Sequence, residues 1–160
     1  MPAPNITAST RFFRPGTTSV VFATAIANKA APTRGEINAG TDLRNEIAEI
    51  NGFQMTSESQ PAPDLGNRFT SSVPGRITAE DSSITFYESV TGVDVRALLP
   101  RDTTGFLLLM PGGDVSGRKM NVAPITVASL ATDYSLEEVA RLIVSFTITS
   151  SMAENVTIPA

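Results

Sequence analysis

The 160-residue sequence contains no cysteine, no histidine and no tryptophan. Without cysteine there can be no disulfide, no thiolate chemistry and no cysteine-based metal site. Without histidine the chain lacks the commonest general base and the commonest transition-metal ligand. An enzyme without cysteine and histidine would have to use carboxylate or serine–lysine chemistry. The only lysines are Lys29 and Lys119, and there is no nucleophile elbow. We therefore predict no catalytic residue, no metal and no cofactor.

Charge is also scarce, since charged residues make up 18% of the chain and the net charge is −4. Nonspecific binding to nucleic acid needs a positive field, which this balance does not supply. The opening "MPAPNITAST" has neither the basic start nor the apolar stretch of a signal peptide, and the longest apolar run, "GFLLLM", is too short to cross a bilayer. We expect a soluble chain made in a cytoplasm, without a membrane partner.

The residues that are abundant indicate β-structure. Apolar residues make up 41% of the chain, serine and threonine are frequent, and phenylalanine dominates the aromatics. We predict a single, mainly β domain over residues 1–160. A proline-rich N-terminal arm over residues 1–16 would precede it, and residues 57–75 would form a long irregular loop.

Four segments have strand patterns. Residues 17–26 are β-branched and apolar, and residues 103–114 are apolar on both faces, which predicts a strand covered on both sides. Residues 119–131 contain Pro124, which predicts an edge or bulged strand. Residues 139–148 alternate, with Leu142, Val144, Phe146 and Ile148 on one face. A strand this apolar near the end of the sequence needs its edge covered.

Other segments are short or ambiguous. Residues 33–37 predict one helical turn, and "GVDVRALLP" predicts a short helix that ends at Pro100. The pattern of residues 41–53 favours a helix slightly over a strand, with a turn or bulge at Asn51–Gly52. Residues 76–89 predict one strand with a bulge near residues 81–83, because the phase of the alternation slips there.

Three local patterns resemble parts of known binding or catalytic sites. "PGGDVSG" (residues 111–117) matches neither the phosphate loop nor the dinucleotide fingerprint, so we predict a hairpin loop. The adjacent carboxylates Glu80–Asp81 and Glu137–Glu138 would face opposite sides of a strand, which favours a solvated surface over glycoside chemistry. The arginines at positions 11, 14 and 34 lack the interleaved aromatics of a nucleic-acid surface.

From about residue 33 to its end, the sequence resembles the tail tube proteins of long-tailed bacteriophages. The segments that carry the resemblance are "GTDL…EINGF", "PDLG", "DSSITFYES" and the closing "NVTIPA", in that order and spacing. None is a catalytic signature. The resemblance implies a β-sandwich or barrel with one short flanking helix, and it implies that residues 41–53 form a strand, against the local pattern.

The resemblance also implies an assembly and its partners. Six copies would form a ring, and rings would stack into a tube that conducts DNA without reading its sequence. The partners would be the tail tip or initiator, the tail terminator and the tape measure protein, and the location would be the tail of the virion. Neighbouring sheets would join around the ring, which would cover the edge of the last strand.

Seven residues are predicted to contribute to this assembly. If Leu43 and Ile47 face the core, Asp42, Arg44 and Glu46 face the channel, where a mildly acidic wall would keep DNA from sticking. Leu65 and Phe69 in the long loop, and Val156 and Ile158 in the closing segment, are predicted to contact neighbouring subunits. The arm over residues 1–16 and the loop over residues 57–75 have the composition of segments that order only on assembly, and both are expected to bridge rings and subunits.

Two other kinds of function remain open. One is a related tube protein from a contractile tail or a secretion needle, which an accompanying sheath gene would identify. The other is a monomeric β-sandwich that binds a ligand such as carbohydrate, although Tyr87 and Tyr134 supply few aromatics for such a surface.

Overall fold

A computed structural model describes residues 3–160, and within them the chain forms ten strands and two short helices. In chain order they are β1 (Ser19–Ala23), α1 (Arg34–Asn38), β2 (Thr41–Asp42), β3 (Ile47–Asn51), β4 (Met55–Ala62), β5 (Ser71–Ala79), β6 (Ser82–Tyr87), α2 (Val95–Leu98), β7 (Thr104–Met110), β8 (Lys119–Asp133), β9 (Arg141–Ile148) and β10 (Ala153–Thr157). The predicted mainly β fold is confirmed. It has two short helices, as the local patterns predicted, whereas the resemblance implied one short flanking helix.

The main sheet curls until its two ends meet. Its strands run in the order β2-β1-β7-β8-β9-β6-β3, each pair is antiparallel, and β10 pairs with β8. A tight turn over residues 43–46 joins the end strands β2 and β3, with Glu46 N donating to Leu43 O at 3.0 Å. On one side of this turn Leu43 N donates to Val20 O of β1 at 2.8 Å, and on the other Glu46 O accepts from Tyr87 N of β6 at 2.9 Å. The two ends of the sheet therefore lie side by side, as in a β-sandwich or barrel.

One cluster of buried side chains fills the interior of this curled sheet. It takes residues from strands on both sides of the fold, and within it the centroids of the Phe53 and Phe146 rings lie 5.9 Å apart. Its other members include Phe22, Ile84, Phe86, Leu99, Leu107, Ile125, Leu142 and Val144. A second cluster, on the outer face of β1, β7 and β8, is covered by Ile37 of α1 and by Val156 and Ile158.

Both helices begin at side-chain caps. The Thr33 hydroxyl accepts a hydrogen bond from Glu36 N, and Glu36 Oε2 accepts one from Thr33 N at 2.7 Å, which together form a capping box. Asp94 caps α2 by accepting from Arg96 N at 2.9 Å. The two predicted helical segments are confirmed.

Residues 41–53 are neither one helix nor one strand. Asp42 Oδ1 accepts a hydrogen bond from Arg44 N at 3.0 Å, and this Asx turn ends β2 after two residues. The chain then crosses to the other end of the sheet and pairs with β6 as β3. At Gly52 φ is +77°, and an added Cβ would lie 2.3 Å from Asp81 O, so the predicted irregularity at Asn51–Gly52 is confirmed.

The long irregular loop predicted over residues 57–75 is wrong, since most of that segment belongs to a hairpin of β4 and β5. Pro61 and Pro74, which suggested a loop, lie within its strands. A two-stranded sheet leaves one edge of each strand open, so proline can be accommodated without breaking the ladder. The single bulged strand predicted over residues 76–89 is also wrong, because the chain changes sheets at Glu80–Asp81.

The strands near the end of the chain are covered within the chain itself. Strand β9 pairs with β6 on one side and β8 on the other, so its apolar pattern does not mark an open edge. Strand β8 lies inside the sheet, and it has the predicted bulge, between Val127 and Ser129. Pro124 O accepts from Thr149 N at 3.1 Å, which places the proline nitrogen on the same side, at the gap between β10 and β9. The Pro124–Thr149 pair therefore keeps one of its two hydrogen bonds, and the bond lost to the missing N–H falls at the end of the β9 ladder.

The closing segment should contribute directly to stability, because Ile158 is 1% exposed within the second cluster. We predict that Ile158→Ala lowers the free energy of unfolding by about 2–4 kcal/mol, measured by urea denaturation. Glu154→Ala, at an exposed position of β10, is the matched control and should change it by less than about 0.5 kcal/mol. Equal effects of the two variants would contradict the buried position of Ile158.

Candidate functional site

The chemistry-bearing residues do not converge on a centre in the part of the chain that the structure describes. No group of three or more carboxylates, histidines or cysteines within residues 3–160 could hold a metal ion. Both carboxylate pairs, Glu80–Asp81 and Glu137–Glu138, are exposed. The "PGGDVSG" segment connects the antiparallel strands β7 and β8, as the hairpin-loop prediction required. No helix in this range is long and apolar enough to span a membrane. The candidate functional sites are therefore surfaces.

The residues predicted to face a channel lie together on the surface. Asp42, Arg44 and Glu46 are all exposed, whereas Leu43 is buried and Ile47 packs against the interior cluster. Arg44 Nε lies 3.1 Å from Asp42 Oδ2, so the two charges offset each other. The predicted division between a polar and an apolar face is thus confirmed, although Glu49, predicted on the core-facing side, is exposed.

A polar cleft of about 610 Å³ adjoins these residues. Asp42 and Arg44 form one wall, and Asp114 and Arg118 of the β7–β8 loop form the other. Arg34 of α1 makes a bidentate pair with Asp114, with Nη1 2.6 Å from Oδ1. That hydrogen bond, opposed by desolvation and supported by the charges of Arg34 and Arg44, lowers the pKa of Asp114. The cleft therefore carries charges of both signs.

The β4–β5 hairpin projects from the domain and exposes apolar side chains. Apart from Met55 and Gly75, all its residues over 55–79 are exposed. Leu65 and Phe69, at the tip over residues 63–70, are 109% and 73% exposed, and Val73 and Ile77 are exposed along β5. Met55 anchors its base, where the Met55 sulfur lies 3.2 Å from Met152 N. Leu65 and Phe69 are thus free to contact another molecule.

The other two predicted contact residues lie elsewhere. Val156 and Ile158 are 8% and 1% exposed, and both belong to the cluster on the outer face of the sheet. Because their side chains pack inside their own chain, we no longer expect them to reach a neighbour. The pattern of "NVTIPA" shows that these residues are apolar, but not which molecule covers them.

Two exposed apolar regions are not predicted by the sequence pattern. One is the β8–β9 loop with Tyr134, Leu136 and Val139, and the other is the segment before α2 with Val90 and Val93. Glu88 N donates to Ala140 O at 3.0 Å, so the two segments are adjacent. Neither has a regular hydrophobic period, and the only available signal was the presence of apolar residues beside turn-forming and charged ones.

Comparison with known proteins gives one family match and a structural match. A family model described as "Phage tail tube protein" matches residues 6–160. No curated protein sequence matches the chain. Among the solved structures, the chain is similar to one in the anti-feeding prophage baseplate, determined by cryo-electron microscopy with 6-fold symmetry imposed. That match has 13% identity, a TM-score of 0.55 and 95% coverage of each chain, so it supports the fold.

The Arg34–Asp114 pair predicts a pH dependence of stability. The pKa of Asp114 is lower in the folded chain than in the unfolded chain, so the pair stabilises the fold above about pH 4 and this contribution is lost as the pH falls through the folded value. We expect Asp114→Asn to lower the free energy of unfolding by about 1 kcal/mol at pH 7, because the pair is partly solvated.

Urea denaturation at pH 7 and at pH 2.5 should show this difference shrinking in acid. Asp64→Asn, at the exposed hairpin tip and outside the ion pairs found within residues 3–160, is the matched control. A difference between wild type and Asp114→Asn that stays constant with pH would exclude an ionic origin.

Proposed function

This chain belongs to the phage tail tube protein family, and we propose that six copies close into a ring and that the rings stack into a hollow tube for DNA. The chain is a structural protein of the tail, a role that it fills by presenting surfaces to other tail proteins. We propose that those partners are further copies of itself, the tail tip or initiator, the tail terminator and the tape measure protein, and that the chain is made in the host cytoplasm.

The observation that carries the proposal is the projecting β4–β5 hairpin. A two-stranded hairpin alone is marginally stable in water, and this one exposes Leu65, Phe69, Val73 and Ile77. Its outer strand edges have no partner strand within residues 3–160, where β4 and β5 pair only with each other. Edges and apolar side chains of this kind are covered in stable proteins, and a neighbouring subunit would cover both at once.

The hairpin also favours a repeating assembly over a simple dimer. A projection that fits a different surface on the next copy makes a heterologous contact, and such contacts give rings when the rotation closes and open stacks when it does not. A tube of stacked rings needs both kinds of contact: one that closes each ring and one that stacks the rings. The similarity to a chain of a baseplate solved with 6-fold symmetry supports six as the number of copies in each ring.

The proposed channel is lined by Asp42, Arg44 and Glu46. DNA must pass without being held, and phosphate contacts from basic residues would hold it through the release of counterions. The Arg44 charge is offset by Asp42 at 3.1 Å, so Glu46 leaves a mildly acidic excess on this surface. The channel wall would thus repel phosphate over about 8 Å at physiological salt.

A second candidate function is the inner tube of a contractile tail or secretion needle. The structural similarity to a chain of the anti-feeding prophage baseplate keeps this candidate open, since it extends the fold to a chain of a baseplate. Both functions use a tube, and a gene for a sheath protein beside the gene for this chain would select the second.

We predict that the double variant Leu65→Ser/Phe69→Ser folds but does not form tubes. Both side chains are exposed in the single chain, so the substitutions should leave its melting temperature within a few degrees, while removing the apolar tip from the contact. Negative-stain electron microscopy, with tail tip proteins added to start assembly, should show six-fold rings or tubes for the wild type only.

Val115→Ser, at an exposed position of the β7–β8 loop, is the matched control and should assemble normally. If the double variant forms tubes as readily as the wild type, the hairpin tip is not an interface. A wild-type chain that stays monomeric even with the tail tip proteins would instead support the monomeric binding module.

The channel surface is tested by reversing one charge. Glu46→Lys should leave tubes intact but slow DNA release, and the delay should shorten as salt is raised, because a new phosphate contact is weakened by salt. Asp42→Asn is the companion variant, since asparagine can keep the Asx turn to Arg44 N while removing the charge.

Glu154→Lys, on exposed β10, serves as the control charge reversal and should release DNA at the wild-type rate. Equal release by Glu46→Lys and the wild type, or a tube structure with Glu46 on its outer surface, would show that this face does not line the channel.

A further inference from the structure

The N-terminal arm, described over residues 3–16, is apolar and basic and is not folded onto its own domain. Ile6, Phe12 and Phe13 are exposed, with Phe13 at 79%. Arg11 and Arg14 flank the two phenylalanines, and the first acidic residue of the sequence is Glu36. Residues 3–13 contain no helix or strand. Exposed aromatic side chains next to uncompensated positive charge call for a surface that is apolar and acidic.

The β8–β9 loop, residues 134–140, has that complementary character, and we refer to it as the acidic loop. All seven residues are exposed, and Tyr134, Leu136 and Val139 supply apolar surface, with Leu136 at 101%. Glu137 and Glu138 supply negative charge. Glu138 pairs with Arg141 at 2.7 Å, whereas Glu137 is in none of the ion pairs found within residues 3–160. The loop therefore offers an unpaired carboxylate among exposed apolar side chains.

The arm and the acidic loop lie at opposite ends of strand β8. The arm leads into β1, whose Ser19 pairs with Met110 next to the Leu109–Asn121 pair. The acidic loop follows Asp133, twelve residues further along β8 than Asn121, which is at most about 40 Å at the rise of an extended strand and is shortened by the bend at the bulge between Val127 and Ser129. Arg11 is only three residues before Arg14, where the arm joins the domain, and can reach about 10 Å beyond it. The arm therefore cannot lay Arg11 and Phe12 on its own acidic loop.

We propose that the arm of one copy binds the acidic loop of the next copy, with Phe12 and Phe13 on Tyr134 and Leu136 and with Arg11 beside Glu137. The contact joins two different surfaces at opposite ends of the molecule, so it is heterologous and passes from copy to copy. The proposal rests on the proposed function in taking a second copy as the partner, and it names a contact that is separate from the hairpin.

Cysteine crosslinking tests the contact directly, because the natural sequence has no cysteine. One full-length chain carries Phe12→Cys, and a second, distinguished by an affinity tag, carries Leu136→Cys. Mixed under mild oxidation, the two should give a disulfide-linked heterodimer on a non-reducing gel, at least five-fold more than Phe12→Cys mixed with Val115→Cys. Val115 is an exposed control position on the β7–β8 loop.

A chain that carries both Phe12→Cys and Leu136→Cys should form a ladder of multimers. A fast-migrating monomer with an internal disulfide would show that the arm binds its own acidic loop, and it would overturn the proposal. A heterodimer yield equal to that of the control pair would overturn it as well, whether or not rings are seen.

Charge exchange supplies an independent test. Arg11→Glu and Glu137→Arg, each alone, should raise the protein concentration needed for assembly by about five-fold, as expected for the loss of an exposed ion pair. The two substitutions in one chain restore opposite charges across the contact and should return that concentration to within about two-fold of the wild type. Arg101→Glu, at an exposed position in the turn after α2, is the matched control for the charge change.

The outcomes separate this contact from the proposed tube. Rings or tubes that form without the crosslink, and without rescue by the exchanged charges, would leave the proposed function standing and exclude the arm contact. A crosslink and charge rescue in an assembly that is not a six-fold ring would support the arm contact and contradict the proposed ring.

Discussion

The rest of the structure depends on the pairing of strand β8 with three other strands. Along one side β8 pairs with β7, and along the other it pairs first with β10 and then with β9. This one strand therefore belongs to both halves of the fold, and the bulge between Val127 and Ser129 increases the local bend and twist that curl the sheet. Pro124 lies where β8 changes partner from β10 to β9, so its absent N–H removes only a bond at the end of the β9 ladder.

Most of the strands could be predicted from the sequence because the pattern of apolar residues along each strand indicates which of its faces are buried. The alternation at Leu142, Val144 and Phe146 and the continuous apolar run in β7 both indicated which faces are covered. They did not indicate what covers them. The edge of β9 is occupied by β6, a strand more than fifty residues earlier, and a partner at that separation leaves no mark in the local pattern.

The surfaces were harder to predict for the same reason. Prolines at positions 61 and 74 indicated an irregular loop, because proline is unfavourable in a continuous sheet, but a two-stranded hairpin with open edges tolerates it. Of the candidate contact residues, Leu65 and Phe69 are exposed while Val156 and Ile158 are buried, although all four are apolar residues in polar surroundings. Whether a side chain is exposed depends on the whole fold. The sequence therefore identified all four residues as candidates but could not distinguish the exposed pair from the buried pair.

The exposed apolar residues lie in separate regions of the surface, and these regions make the two ends of the molecule different. Most of these residues lie in the arm before β1, along the β4–β5 hairpin, in the segment before α2 and in the acidic loop after β8, rather than on the faces of the main sheet, whose side chains are largely buried in the two clusters. A protein that paired with a single partner through one patch would need only one of these regions. The arm at one end of β8 and the acidic loop at the other give the molecule two unlike ends, and unlike ends are what a subunit requires in order to add to a growing assembly in one orientation.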